Sequence, residues 1–430
     1  MDIPVNRRDL LRYSALGLVG SAAGTLAACS SGDSASNAEA PETGGKATDF
    51  TFASWSLSED AAKPTIQKAI DGFASKDDIS VKTISYPFND YLNQLTLQVR
   101  GGQFTGAAQL DVAWLSALAT LGKLTDLGSL ASDRGYTEAG LGAGKFDGVQ
   151  YGLPWTIGAI GLIANKELYD KAGASLTPET IEEFEDGLRA LKGIGVIPYA
   201  ASTKAAQLKD IFVWMQTFGS PIVKDGKSSV ADEASVKAVE WYKKLYDDGL
   251  IAPDVDRAGA RTLFAKGKTA LYDDAPVGVS AVTDQSSDKD MAQKMTPMTR
   301  PVLASGDTPQ HMLWGHLVVV TEGEGSGTAA EFAQWLTSDE KQTVSYFEAL
   351  GLPPATQKAL DSDAVSENTF VADFTEKITT TATPSPLWIY PGYAQVETAV
   401  AEKVQAVLIG KSSASDAMTA ADQSVAKLLK

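Results

Sequence analysis

Residues Tyr151–Gly173, YGLPWTIGAIGLIANKELYDKAG, constrain the fold more than any other stretch. Gly152 and Pro154 bend or fix the backbone at its start. Trp155 and Thr156 follow, and then mostly apolar residues run to Ala164, the pattern of a buried strand. From Asn165 the pattern turns polar and helical through Lys166, Glu167, Leu168 and Tyr169. A chain that leaves one lobe, crosses, and enters a second as strand then helix reads this way. A short crossing lets two rigid lobes open and close. The plainer reading is an ordinary bend ahead of a buried strand.

The flanking pattern supplies the lobes. DFTFAS at Asp49–Ser54, Ile79–Ile84 and LDVAWL at Leu110–Leu115 read as strands. Helical stretches alternate with them, Ala61–Phe73 with Pro64 near its start and Tyr91–Gly101 with Leu92, Leu95 and Val99 on one face. Strand–helix alternation argues for an α/β architecture with helices on both faces of a sheet. Beyond the crossing, Thr177-Pro178-Glu179 opens a helix, Val196–Tyr199 is a strand, and Leu208–Thr217 and Ala234–Tyr246 are helices. Thr269–Tyr272 is a strand feeding Asp273-Asp274-Ala275-Pro276, read as a return to the first lobe. Leu313–His316 leads into the apolar strand Leu317–Thr321, read as a further crossing into the second lobe, and two helices close the chain.

The amino terminus has its own logic. Arg7, Arg8 and Arg12 precede a weakly apolar run, Leu16–Leu26, and then Leu26-Ala27-Ala28-Cys29. A charged region, an apolar region and a small-residue processing site make an export signal, outside the fold. Asn6–Leu11 resembles a twin-arginine signal, loosely because Asp9 follows the pair, and Leu26–Cys29 resembles a bacterial lipoprotein box. That second resemblance implies cleavage before Cys29 and a lipid on it. Cys29 is the only cysteine, so no intrachain disulfide can form. Ser30–Thr48, rich in Ser, Gly, Ala, Glu and Pro without periodicity, reads as a flexible tether. No other apolar run reaches the roughly 20 residues that span a bilayer, so the rest is expected to be soluble.

The net charge of −17, from 37 basic and 54 acidic residues, argues against nucleic acid as a partner, because backbone recognition runs on positive charge. A chain of about 400 residues after processing suits two lobes better than one core.

Chemistry-bearing candidates cluster at strand ends and breaks, where open α/β sheets place ligands. Trp55 follows the first strand, Asp111 and Trp114 belong to the third, Trp155 sits in the crossing, and Trp314 and Trp388 lie at later breaks. Trp214, beside Phe212 and Met215 on a mid-lobe helix, reads either as a platform or as core; Trp241 and Trp335 read as core. Asp273 and Asp274 end a strand. Paired carboxylates invite a hydrolase reading, but catalysis on glycosides needs two carboxyls facing across a cleft, and adjacent residues diverge. The two histidines, His311 and His316, are spaced wrongly for a zinc pair on a helix face. No metal and no cofactor is expected. Flat aromatics cover the C–H patches of a sugar while Asp, Asn, Thr and backbone groups take its hydroxyls. An amino-acid site would call for an arginine clamp at the lobe junction, and only Arg261 and Arg300 stay open for that role.

Taken together, the box at Leu26–Cys29, IANKELYDKAG, FAKGKTALYDD at Phe264–Asp274, LGLPP at Leu350–Pro354 and ASDAMTAADQSVAKLL at Ala414–Leu429 resemble the extracellular solute-binding proteins of ATP-driven sugar importers, in the branch that includes maltose-binding protein. Ala164 stands where the family often has tyrosine, and Ala275-Pro276-Val277 where a larger or aromatic residue is common, so the identity of the sugar transfers less well than the fold. The resemblance implies a two-lobed periplasmic-binding-protein-like fold with a ligand cleft between lobes joined by crossing segments. The expected division is an export signal at 1–28, a tether at 29–48, a first lobe of 49–157 and 269–313, and a second lobe of 158–268 and 314–430. The implied function is binding a di- or oligosaccharide outside the cytoplasmic membrane and delivering it to the permease of an ATP-binding-cassette importer. The protein would be a monomer held to the membrane through lipid on Cys29, and not an enzyme. Trp55, Asp111, Trp114, Trp155, Trp214, Asp273, Asp274, Trp314 and Trp388 are the expected ligand contacts. The alternatives are a secreted glycoside-processing enzyme and a cell-surface adhesion or scaffold protein.

Overall fold

The computed structural model describes residues 38–429. Cys29 and the segment 1–28, expected to be an export signal, lie outside the described residues. Nine strands build the frame: β1 (Phe50–Ala53), β2 (Val81–Ile84), β3 (Gly106–Asp111), β4 (Gly152–Asn165), β5 (Ile197–Ala200), β6 (Thr269–Asp274), β7 (Met295–Met298), β8 (His311–Thr321) and β9 (Ala382–Thr383). Their order is β2-β1-β3-β8-β4-β6-β5, with β7 also on β4 and β9 on β8.

The crossing stretch is one 14-residue strand, β4, buried almost throughout. Its first part, Gly152–Ile160, pairs antiparallel with β8. Its last part, Gly161–Asn165, lies between β6 and β7. β4 therefore belongs to two lobes. The first lobe is β2-β1-β3-β8, with β1 parallel to both its neighbours. The second is β5-β6-β4-β7. Asn165 ends the strand by capping the helix Lys166–Ala172, its side chain accepting from Glu167 and Leu168 backbone N–H groups.

Helices used below are α1 (Lys63–Asp77), α2 (Phe88–Arg100), α3 (Ile211–Thr217), α4 (Glu233–Asp247), α5 (Arg257–Ala265), α6 (Ser326–Ser338), α7 (Glu340–Leu350), α8 (Tyr393–Leu408) and α9 (Ala414–Leu428). α1 buries Ile66, Ala69, Ile70 and Phe73 from one face, carries Pro64 in its first turn and stops at Asp78 in the left-handed region. Phe332 of α6 joins this face to the sheet, 5.4, 5.1 and 5.1 Å from the rings of Phe50, Phe52 and Phe73. In the second lobe Phe264 of α5 packs 4.9 Å from Tyr272 of β6. A larger helical core holds Trp214 of α3, Trp241 of α4 and the buried faces of α8 and α9.

Four expectations are corrected. The strand expected at Leu110–Leu115 is β3 at Gly106–Asp111; Asp111 accepts from the Ala113 N–H, and Val112–Trp114 and Leu115–Ala119 turn helical. Residues 269–313 do not return to the first lobe, because β6 pairs with β4 and β5, and β7 pairs with the end of β4. The chain comes back at β8, antiparallel to both β3 and β4, and α6 and α7 then stay on the first lobe, where Phe332 and Tyr346 find their partners. Valines 318–320 show burial but not the direction in which a strand crosses. The helix expected from Thr177 starts at Ile181, with Thr180 capping the Glu183 N–H. The tether is docked in its second half: Gly44 N–H donates to Glu331 (2.6 Å) and Thr48 N–H to Thr328 Oγ1 (3.0 Å), both on α6. Gly327 makes the approach possible, since a Cβ there would lie 1.9 Å from the Glu42 carbonyl oxygen.

Candidate functional site

A cavity of about 800 Å³ opens between the lobes. Each lobe contributes through the ends of its elements. Trp55 follows β1, Phe88 and Asn89 open α2, and Trp114 follows β3. Opposite stand the segment 205–209, α5 and the first turns of α8. Asp256 caps α5 by accepting from Gly259 N–H (2.8 Å), which sets Arg257 and Arg261 on one face four residues apart. Tyr393 and Glu397 share a face of α8 in the same way.

One wall is aromatic. Trp55 lies 5.4 Å from Phe88 and 5.5 Å from Trp114, and Phe88 and Trp114 are 4.9 Å apart. Trp314 of β8 lines the same space and donates its indole N–H to Asp111 (2.9 Å). Asp111 also accepts from Ala113 N–H (2.9 Å). Burial holds its carboxyl above the usual range, against the nearby Lys209 charge and these two donors. Asp111 thus orients Trp314 from behind and is not itself a lining group.

The other wall is polar, and its arginines are occupied. Arg261 forks onto Asp274 through Nε (2.7 Å) and Nη2 (2.9 Å). Arg257 Nη2 reaches both oxygens of Asp210 (3.1 and 3.0 Å) and its Nη1 donates to the Asp273 carbonyl. Arg261, which the sequence left open for this place, and Arg257, which it did not, both stand at the lobe junction, but each is neutralised by a buried aspartate. Lys209 has no ion pair among the described residues and lies 5.9 Å from the Phe88 ring. Burial pushes the Glu397 carboxyl up to about 7, opposed by Lys209 and reinforced by Asp111 and Asp210. Across the mouth, Gln207 of the second lobe donates to Asn89 of the first (3.4 Å).

Of the nine expected contacts, Trp55, Trp114, Trp314 and Asp274 line the cavity. The other five do not. Trp214 is fully buried, 5.9 Å from Phe184 and 4.7 Å from Trp241, with the Arg300 guanidinium 4.7 Å from its ring. Every residue of α3 except the half-buried Gln216 is buried, so the helix offers no apolar face to the cavity. Trp155 stacks on Tyr346 at 4.0 Å, inside the first lobe. Asp273 points away from Asp274, as successive residues of a strand do, and is held by Arg300 and the Tyr199 hydroxyl. Trp388 is half-buried against the core. Asp111 acts through Trp314. Sequence reasoning missed Phe88, Asn89, Lys209, Arg257, Tyr393 and Glu397. The strand-end rule could have found Phe88 and Asn89, which open a helix just after β2. The others come from helices that only the tertiary arrangement brings to the cleft.

Among the described residues no group of three or more His, Cys, Asp or Glu side chains is placed to hold a metal ion, and no helix is long and apolar enough to cross a membrane.

Comparison with known proteins agrees with this geometry. The model of a family described as bacterial extracellular solute-binding protein matches residues 68–372. A binding protein of Brucella abortus (strain 2308) is 23% identical over 399 residues, covering 90% of this chain and 93% of the relative. The diacetylchitobiose binding protein DasA of Streptomyces coelicolor is 26% identical over 311 residues, 69% of this chain and 71% of its own. Among solved structures, the GacH receptor of Streptomyces glaucescens, known unliganded and with acarbose, superposes with a TM-score of 0.79 at 22% identity, covering 89% of this chain and 98% of that one.

Proposed function

This chain belongs to the bacterial extracellular solute-binding proteins, and on that premise we propose that its cleft binds a carbohydrate, a disaccharide or a longer oligosaccharide, and hands it to the membrane permease of an ATP-binding-cassette importer. The family is one of binding proteins rather than enzymes. The observation that carries the sugar reading is the cavity of about 800 Å³ with Trp55, Phe88, Trp114 and Trp314 on one side and hydrogen-bonding groups of the second lobe on the other. Aromatic faces suit the C–H surfaces of pyranose rings, and buried polar groups select hydroxyl patterns sharply because an unmatched group is costly. The relatives named for diacetylchitobiose and solved with acarbose point the same way. The adjacent acids Asp273 and Asp274 are paired separately, with Arg300 and Arg261, and do not make a glycosidase pair.

A solute that binds only the closed form raises stability by mass action, by about 2.7 kcal/mol at a hundred times its Kd. In a thermal-shift screen of mono-, di- and trisaccharides beside amino acids, peptides and metal ions, the largest shifts are expected with an oligosaccharide. Shifts confined to the other classes contradict the proposal.

We also place the protein on the outer face of the cytoplasmic membrane, as a monomer held by lipid on Cys29, with the export signal 1–28 removed. One acyl chain binds membranes only marginally, so the anchor needs several. Mass spectrometry of the native protein should find a lipid-modified Cys29 at the amino terminus; an unmodified terminus contradicts the anchor.

A further inference from the structure

Behind Trp55 and Trp314 the cavity reaches a histidine whose hydrogen-bonding state is dictated by its surroundings. His316 is 2% exposed and lines the cavity. Its backbone is pinned: His316 N–H donates to Thr156 Oγ1 (3.2 Å), a bulge shifts the β4–β8 register between His316 and Leu317, and the preceding Gly315 leaves no room for a Cβ, which would lie 2.3 Å from the Thr156 carbonyl oxygen. Bulges re-aim side chains beside functional sites.

The ring's Nδ1 lies 3.1 Å from Gln109 Nε2 and 3.2 Å from the Tyr346 hydroxyl. The orientation of the Gln109 amide follows from its other contacts. Ser56 backbone N–H, which can only donate, faces Gln109 Oε1 (3.5 Å), and the Ser54 hydroxyl donates to the same oxygen (2.5 Å). The Gln109 Nε2 amide donates to Ser56 Oγ (3.0 Å) and to His316. An amide N–H facing Nδ1 makes Nδ1 an acceptor, so the neutral ring carries its proton on Nε2. That Nε2 is buried and has no hydrogen-bond partner. One edge of the ring is thus held by Gln109 and Tyr346, which do not line the cavity. The ring also packs edge-on to Trp55 (4.9 Å) and Trp314 (4.8 Å), which do.

We propose that His316 is a ligand-binding residue whose Nε2–H donates to an acceptor oxygen of the bound solute, a hydroxyl, ring or glycosidic oxygen, at the floor of the cleft. The inference rests on the cavity being the solute site. It adds a selectivity rule: a solute that presents an ammonium or a bare hydrocarbon at this point leaves a buried donor unsatisfied and is rejected.

The chain has two histidines, which makes the ring state directly readable by nitrogen-15 NMR. His311 serves as the internal contrast. Its Nε2 accepts from Arg300 backbone N–H (3.3 Å), so its proton sits on Nδ1, toward Thr381 Oγ1 (2.8 Å). The free protein should therefore show two neutral rings of opposite tautomer, assigned with His311→Gln. A His316 ring protonated on Nδ1 overturns the inference. On titration with maltose, cellobiose and diacetylchitobiose, the sugar that binds should move the His316 Nε2–H resonance and leave His311 in place. A bound sugar that leaves His316 unmoved, as when the N–H rests on an indole face, also overturns it. If none of the three binds and arginine or spermidine does, the carbohydrate reading falls, and the same resonance under that solute decides His316 separately. His316→Phe should weaken binding by about tenfold, and His316→Gln, whose amide N–H falls near the Nε2 position, should recover most of it. Equal losses in the two folded variants count against a donor role.

Discussion

At the scale of single residues, the cleft is organised by groups that position the side chains lining it. Asp111 aims Trp314, Asp274 and Asp210 occupy the two arginines, and Gln109 sets the His316 tautomer. Buried histidines also make stability depend on pH. Burial lowers both His311 and His316 from the ordinary 6.5 to about 3, with the Arg300 charge adding to the effect at His311. In the unfolded chain both rings take up protons below about pH 6.5, while the folded protein keeps them neutral. Their contribution is therefore complete above pH 6.5 and is lost as pH falls toward 3. Glu397, raised to about 7, acts in the opposite sense, favouring the folded state below its ordinary 4.5 and losing that advantage as pH rises through 7. Denaturant titrations from pH 7 to 4 should show His316→Gln flattening the acid-side fall in stability. An unchanged slope contradicts a buried neutral ring. Single residues were also where sequence reading failed most. Trp55 stands between Ser54 and Ser56, and Trp214 between Val213 and Met215 on a helix where it could be platform or core; only its packing against Phe184 and Trp241 decides for core.

At the scale of elements, the amino-terminal segment is the clearest departure. Composition marks residues 30–48 as a tether, and composition is blind to a glycine on another helix. Gly327 lets the Glu42 carbonyl lie against α6, and Glu331 and Thr328 then hold Gly44 and Thr48. Gly327→Ala should push this strap off, so that protease cleaves within residues 38–48 faster while the melting temperature of the body changes little. Equal cleavage in wild type and variant contradicts the docking. The strands themselves were legible where alternation or apolar runs were strong, as in β1 and β8, whereas β3 begins four residues before the expected LDVAWL and shares only Leu110 and Asp111 with it. Their partners were not, because β6 and β8 carry similar apolar cores, and a strand's sequence does not state which lobe it joins.

At the scale of the whole molecule, the two-lobed α/β architecture was legible because the crossing β4 is long, apolar and followed at once by a capped helix. Those features report a strand that serves two sheets. The place of the cleft followed from strand ends, while about a third of its lining comes from α5 and α8, brought in by tertiary packing alone. The account turns on this cavity being the solute site. The direct test is a calorimetric titration of the oligosaccharide with the largest thermal shift into wild type, Trp114→Ala and Trp214→Ala. Loss of the cavity wall in Trp114→Ala should weaken binding by about tenfold to a hundredfold, roughly 1.4 to 2.8 kcal/mol. Trp214→Ala should lose roughly 3 to 5 kcal/mol of stability yet bind with wild-type affinity while folded. Wild-type affinity in folded Trp114→Ala, or a selective loss of affinity in folded Trp214→Ala, would place the solute elsewhere and contradict the account.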